Sequence, residues 1–353
     1  MIIGTCGFCS TGSSAVSDYL KEFDENQVLD KLEFTMVYLP DGLEDLDYHL
    51  NHNVNRDDNC CIAIPRFRRF MKTYEERMVI YTGIKESDAK KMTDEFLDSL
   101  IQMRWISRRR SDKLLYTSKL YDFFGRKMLA LHIIPFLNKK LNKSLKIWPN
   151  RVLEVSINPD GFVDKSKLFI KKIFETYGAD FSKNIVLDQP FVGNNPAKSF
   201  RFFENPVAIV VDRDPRDNYI FTREVLIKKS RIMPVDNVEE FVKYYRLLRE
   251  NQPYQHPNDQ ILRLNFEEMV YDYDAATTKI RKFCHLPENP RPFSIFDPKL
   301  SINNTQLILK FPQYQKDVEF IERELPEYLF DFSRYPKPDN SGRMFRGKSP
   351  LNK

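Results

Sequence analysis

The chain opens with an apolar run, Ile2-Ile3-Gly4-Thr5-Cys6, followed by a Gly-containing turn from Gly7 to Ser14 that is made of small residues apart from Phe8. Apolar positions then recur three and four apart at Ala15, Val16, Tyr19, Leu20 and Phe23. That order predicts a strand, a tight turn and a helix buried on one face. Leu32 to Leu39 predicts a second strand, ended by Pro40-Asp41-Gly42. From 60 to 150 helical spacing dominates, as over Ser87 to Ser107, with Ser87 placed as an N-cap. Strands then return at Asn184 to Leu187, Val207 to Asp212 and Gln260 to Asn265. Helices are predicted at Pro196 to Phe203, Asn237 to Asn251, Ala275 to His285 (capped by Asp274) and Gln315 to Leu325. Alternating strands and helices, with strands that are apolar throughout, predict an α/β fold: a central, mostly parallel sheet covered on both faces. The expected organisation is one α/β domain over 1–332, a helical insertion or lid over 60–150, and a Pro-, Gly- and Lys/Arg-containing tail over 333–353.

Composition adds limits. The chain has 353 residues, 55 Lys and Arg against 50 Asp and Glu, and a net charge of +5, too modest for a protein that is a nucleic-acid binder throughout. The basic charge is concentrated. Residues 101–150 hold twelve Lys/Arg and two Asp/Glu, 12 − 2 = +10, with Arg108-Arg109-Arg110 at the centre. This basic insertion suits an acidic or phosphorylated partner, or peripheral contact with a membrane surface; a solvated helical face accounts for it equally. No stretch approaches the roughly 18 apolar residues of a membrane span, and Met1 is followed by no basic region and apolar core of a secretory signal. Five cysteines without framework spacing point to a reducing cytoplasm. Cys6-x-x-Cys9 has no second pair at zinc-ligand spacing, so it reads as two small residues in a tight loop, and no metal is expected. His132 lies in an apolar run and reads as a packed residue.

The first turn carries chemistry. A loop between a first strand and a first helix turns backbone N–H groups towards one point, and the helix dipole adds positive potential there. Gly7-x4-Gly12-Ser13-Ser14 has the spacing of a Walker A loop, but Ser13 stands where the lysine belongs. ATP and GTP chemistry uses that lysine with Mg²⁺. Without it, the loop remains suited to a phosphate held by backbone amides and hydroxyls.

A second motif is Val210-Val211-Asp212-Arg213-Asp214-Pro215-Arg216-Asp217, a buried strand ending in an Arg-x-Pro-Arg-Asp turn that opens a helix. Arginine forks match phosphate oxygens in such a place. The motif resembles the 3′-phosphate-binding motif of the sulfotransferases that use 3′-phosphoadenosine-5′-phosphosulfate (PAPS). Ile261 to Met269, followed by a helix and Leu286-Pro287, is similar to a third segment of that family. The resemblance covers about residues 1–40 and 184–290. It implies a P-loop-type three-layer fold and transfer of a sulfuryl group from PAPS, without a metal, to a hydroxyl acceptor; the basic insertion suggests that this is carried on a carbohydrate or glycolipid. By it, Ser10, Thr11, Gly12, Ser13 and Ser14 hold the 5′-phosphosulfate, Arg213 grips the 3′-phosphate, and Phe266 lies against adenine. Thr222 supplies a hydroxyl to the 3′-phosphate, one residue later than the family's serine, where Phe221 stands. Lys310, after Ser301-Ile302-Asn303-Asn304-Thr305, belongs to a covering loop.

The chain also departs from the family. Many members carry Lys or Arg where Ser10 stands; Arg66, Arg68, Arg69 and Lys198 are candidate replacements for that charge. Two carboxylates, Glu33 and Asp188, stand where the family places its catalytic base, and neither excludes the other. Ser10 and Phe221, standing where the family carries a basic residue and a serine, keep another reading open, a degenerate module that binds 3′-phosphoadenosine-5′-phosphate (PAP) without turnover. The main alternative is a P-loop nucleotide kinase or NTPase, disfavoured by Ser13 and by the Arg213-x-Pro motif.

Overall fold

The computed structural model describes residues 1–31, 33–54, 58–109, 112, 115, 133–141, 150–226, 232–250, 258–339, 342 and 344. The readings placed on Leu32, Arg110, His132, Asn251 and most of the tail beyond 339 lie outside these residues. The chain groups into two compact units, Met1–Thr35 with Gly178–Lys353, and Met36–Tyr177.

The first unit is the α/β sheet. Its strands are β1 (Ile2–Gly7), β2 (Asn26–Leu29), β5 (Asn184–Asp188), β6 (Pro206–Asp212) and β7 (Ile261–Asn265), while β3 and β4 belong to the other unit. All pairings are parallel, in the order β2-β5-β1-β6-β7. The central strands bury both faces, which is why they read as continuous apolar runs. One face carries Ile3, Val186, Ile209, Val211 and Leu264. It packs on Ala15, Val16, Tyr19 and Leu20 of α1 (Ser13–Leu20) and on the segment from Phe266 to Cys284. On the other face Phe191 lies against Gly4, and its ring meets those of Phe200 and Phe203. The chain leaves β1 towards β2 on one side and later returns to β6 on the other. The C-terminal end of β1 is therefore a switch point of the sheet, where ligands of open α/β folds bind.

The second strand differs from expectation. It is Asn26–Leu29, a four-residue edge strand with polar Asn26 and Gln27 that mask its alternation. Within the run read as a strand, Phe34, Met36 and Val37 are buried, but the chain turns. Leu43 and Glu44 donate their N–H groups back to Met36 and Val37, and Asp41 is left-handed (φ 68°). Burial without a sheet partner explains the misreading.

The Met36–Tyr177 unit holds α2 (Leu43–Asp47), α3 (Asp58–Thr82), α4 (Glu86–Leu100), α5 (Ile134–Leu141) and α6 (Phe162–Thr176). It also holds an antiparallel hairpin of β3 (Met103–Ser107) and β4 (Arg151–Val155). Phe96 and Phe169 stack at 4.5 Å between α4 and α6, with Phe67 beside them. Helix α4 starts one residue before Ser87, with Lys85 at the N-cap position, so Ser87 is its second residue and not its cap.

In the sheet unit follow α7 (Pro215–Phe221), α8 (Val238–Glu250), α9 (Phe266–Tyr271), α10 (Tyr273–Phe283), α11 (Pro298–Ser301) and α12 (Gln315–Glu324). Helix α10 begins at Tyr273, which puts Asp274 inside its first turn, where a carboxylate favours the dipole without capping.

Candidate active site

The loop from Phe8 to Gly12 reverses the chain between β1 and α1 with three left-handed residues, Cys9 (φ 68°), Ser10 (φ 56°) and Gly12 (φ 89°). Phe8 donates its N–H to Thr11 Oγ1 at 3.1 Å, closing the turn on itself. Among the described residues, the backbone N–H groups of Cys9 to Ser14 donate no hydrogen bond. Six consecutive amides without an acceptor, at a helix N-terminus on the sheet's switch point, form an anion-binding concavity. Gly12 is required twice over: its φ is one that L-residues avoid, and a Cβ there would sit 2.6 Å from Cδ2 of Phe266.

The side chains of the loop take separate roles. Thr11 is buried and serves the turn. Ser13 Oγ accepts from Gln189 Nε2 at 2.9 Å, tying the loop to the residue after β5. Ser14 is exposed. Ser10 accepts, through its carbonyl, a hydrogen bond from Arg213 Nη1 at 3.1 Å.

Arg213 is 3% exposed. Its second terminal nitrogen donates to the carbonyl of Asn304. Its Nε is buried with no partner among the described residues. The guanidinium packs on the rings of Phe221 (4.6 Å) and Phe266 (5.2 Å). Burial lowers its pKa, and Asp217, Glu267 and Asp214 oppose that shift. The structure thus brings Ser10, Gly12, Arg213 and Phe266 together. Phe221, not Thr222, faces the guanidinium; the Thr222 hydroxyl is buried and turned towards the Met233 thioether. Asn304 of the expected covering segment reaches Arg213, whereas the Lys310 ammonium is held by the carbonyl of Gly342.

The other charges of the motif build the scaffold. Asp214 caps α7 by accepting from Arg216 N (2.9 Å), with Pro215 next in the first turn. Arg216 spends its fork on Asp214 (2.9 and 2.7 Å) and on Glu322 (2.8 Å). Asp217 accepts the N–H groups of Gln306 and Leu307, both at 2.7 Å, and burial pushes its pKa up to about 6. Glu267 accepts from Asp214 N at 3.1 Å, and burial raises its pKa well above the usual carboxylate range.

Asp188 ends β5 beside Thr5 of β1. Its carbonyl accepts from Phe34 N at 2.8 Å, which holds the Glu33 segment at the end of this strand. Burial first, then the negative charges of Glu33 and Asp30, push the Asp188 carboxyl up to about 7, against the pull of Lys21. Glu33 is exposed. Its charge also helps raise the Cys9 thiol, after burial, so Glu33 lies near the loop. Cys6 is buried in β1, pushed up to about 12 by burial, with Sγ towards Ile209 O.

Of the residues proposed to replace a basic residue at Ser10, three lie in the Met36–Tyr177 unit and are engaged. Arg66 pairs with Asp41, Arg68 with Asp94 and Glu154, and Arg69 with Leu115 O. Lys198 lies exposed in a 3₁₀ turn of the sheet unit. Among the described residues, no group of three or more His, Cys, Asp or Glu is arranged for a metal, and no helix is long and apolar enough to cross a membrane. Sequence reasoning missed Gln189, Glu267 and Arg249, although an arginine four residues after Tyr245 on a buried helical stripe was a visible signal for the last.

No family model matches the chain, and no curated protein matches it. Among solved structures, sulfotransferase STF9 from Mycobacterium avium aligns over 97% of this chain and 78% of that one, at 13% identity and a TM-score of 0.35, a likeness too loose to assign fold or function.

Proposed function

We propose that the chain moves a sulfuryl group from PAPS to a hydroxyl acceptor, on a carbohydrate or glycolipid. The observation that carries this reading is the run of unpartnered amides from Cys9 to Ser14, in a loop without the lysine of a Walker A motif, beside a buried arginine with an unsatisfied Nε. Bound PAPS supplies the activated sulfuryl group and its phosphate leaving group. The amides and the Ser13 and Ser14 hydroxyls hold the 5′ end. The Phe266 ring, buried against Gly12, is the one the family resemblance sets by adenine. Arg213 takes the 3′-phosphate by releasing a carbonyl of Ser10 or Asn304, so its fork passes from a carbonyl to a charged acceptor, which makes the stronger bond.

Asp188 is the base that fits best. A carboxyl near 7 is about half ionised at neutral pH and is matched to accepting a hydroxyl proton there. Burial, and after it the charge of Glu33, keeps that pKa high. The test is transfer of labelled sulfate from PAPS to a panel of glycan hydroxyls, by wild type and by Asp188→Asn. Transfer by wild type, reduced about 10²- to 10⁴-fold in the variant, is expected for loss of a general base. Undiminished transfer by Asp188→Asn, with loss in Glu33→Gln, moves the base to Glu33. PAP binding without any transfer identifies a binding module.

A further inference from the structure

The geometry points to Arg249 as the positioning residue that locks the two halves of the anion site, the β1–α1 loop and the Arg213 turn, into one arrangement. Helix α8 sets Phe241, Tyr245 and Arg249 four residues apart on its buried face, so the guanidinium enters the core and is 2% exposed. Its Nε donates to Asp212 Oδ2 at 2.9 Å and its Nη2 to Oδ1 at 2.5 Å, a forked pair with the last residue of β6. Its Nη1 donates to the Tyr245 carbonyl at 3.1 Å. The guanidinium carbon lies 4.1 Å from the centre of the Phe8 ring and 3.4 Å from that of Tyr245.

Each contact ends on a part of the site. Phe8 is the first residue of the loop, and its N–H closes the turn on Thr11. Tyr245 donates its hydroxyl to the Arg213 carbonyl at 2.9 Å. Asp212 precedes Arg213, and its carboxylate would repel a phosphate bound there; the fork of Arg249 neutralises that charge. One planar cation therefore places the loop's first ring, holds the backbone of Arg213 through Tyr245, and cancels the adjacent negative charge. A lysine cannot do all three, because it has neither the two-pronged fork nor a flat face.

Cys9 gives a readout that needs no ligand. It is the partly buried thiol of the loop, whereas Cys6, Cys60, Cys61 and Cys284 are buried. The experiment compares wild type, Arg249→Lys and the charge-neutral pair Asp212→Asn/Arg249→Gln, which removes the buried guanidinium and its partly buried partner charge together and so guards against simple misfolding. A thiol reagent such as dithiobisnitrobenzoate should label Cys9 about tenfold faster in both variants, the size expected when about 1.4 kcal/mol of local order is lost, with the other four thiols still protected. The KM for PAPS should rise by a similar factor while the KM for the acceptor stays unchanged. An unchanged Cys9 rate, or all five thiols reacting faster together, overturns the inference and leaves Arg249 a contributor to global stability. The kinetic arm rests on the sulfuryl-transfer reading. A wild type that does not use PAPS sinks that reading alone, because the thiol arm still decides the role of Arg249.

Discussion

Replacing Gly12 with alanine tests the packing that joins the loop to the candidate adenine face. The cost has two parts. An L-residue forced to φ 89° in the left-handed region loses about 1–2 kcal/mol. The new methyl meets Phe266 at 2.6 Å from Cδ2 and 3.0 Å from Cγ, closer than carbon atoms tolerate. Phe266 is itself buried, with the Arg213 guanidinium 5.2 Å from its ring, so it cannot swing aside without disturbing that contact. Overpacking of this kind costs about 1–3 kcal/mol. Gly12→Ala should therefore destabilise the sheet unit by about 2–5 kcal/mol. Gly178→Ala is the internal control. It lies in the same unit, has φ 74°, and has nothing within 4 Å of an added Cβ, so it carries the backbone part alone. Urea denaturation of both variants reads the difference. Equal losses for the two would refute the claim that Phe266 seats on Gly12, and with it the assignment of that ring to the site.

Two further predictions concern the carboxylates. Asp188, raised from 3.8 to about 7, binds its proton more tightly in the folded chain, so its effect is to lower stability as pH climbs through that window. The urea midpoint of wild type should fall from pH 5 to pH 8 more than that of Asp188→Asn, and the rate of sulfate transfer should rise with an inflection near pH 7; parallel midpoints in the two proteins would exclude a perturbed Asp188. Asp217→Ala leaves the N–H groups of Gln306 and Leu307 without their acceptor and should cost about 2–6 kcal/mol, at about 1–3 for each orphaned group. A midpoint unchanged from wild type would show that the 302–310 segment is not tethered there.

The sheet was readable because its central strands are buried on both faces: Val207 to Asp212 and Asn184 to Leu187 agree with β6 and β5 to within a residue. The edge strand β2 was not, since a strand paired on one side can carry Asn26 and Gln27 without penalty. Local signals also misplaced two caps. Ser87 and Asp274 are residues that cap helices, but each helix begins a residue earlier. Within the candidate site, the loop was marked by its spacing and Arg213 by the family resemblance of its motif, whereas the choice between Phe221 and Thr222 depends on which residue faces the guanidinium. The helix ends at Phe221 and a wider π turn begins at Thr222, a change of pitch that no residue pattern announces. Likewise Arg216 has the same forked chemistry as Arg213, and only the positions of Asp214 and Glu322 assign it to the scaffold. The raised pKa of Asp188 depends first on its burial and then on Glu33 and Asp30, which lie more than 150 residues away in sequence, so neither cause is visible in the local pattern.

The central claim is that the β1–α1 loop and Arg213 form a site for a 3′-phosphorylated nucleotide without a metal. It is tested most directly by titrating PAP and ATP, each with and without Mg²⁺, into wild type and Arg213→Ala while following thermal stability and heat of binding. A ligand present at about a thousand times its Kd stabilises the folded state by about 4 kcal/mol. Stabilisation of that size by PAP, indifferent to Mg²⁺ and lost in a folded Arg213→Ala, is the predicted result. Stabilisation by ATP only in the presence of Mg²⁺, with no response to PAP, would contradict it and make the loop a nucleotide kinase or NTPase site.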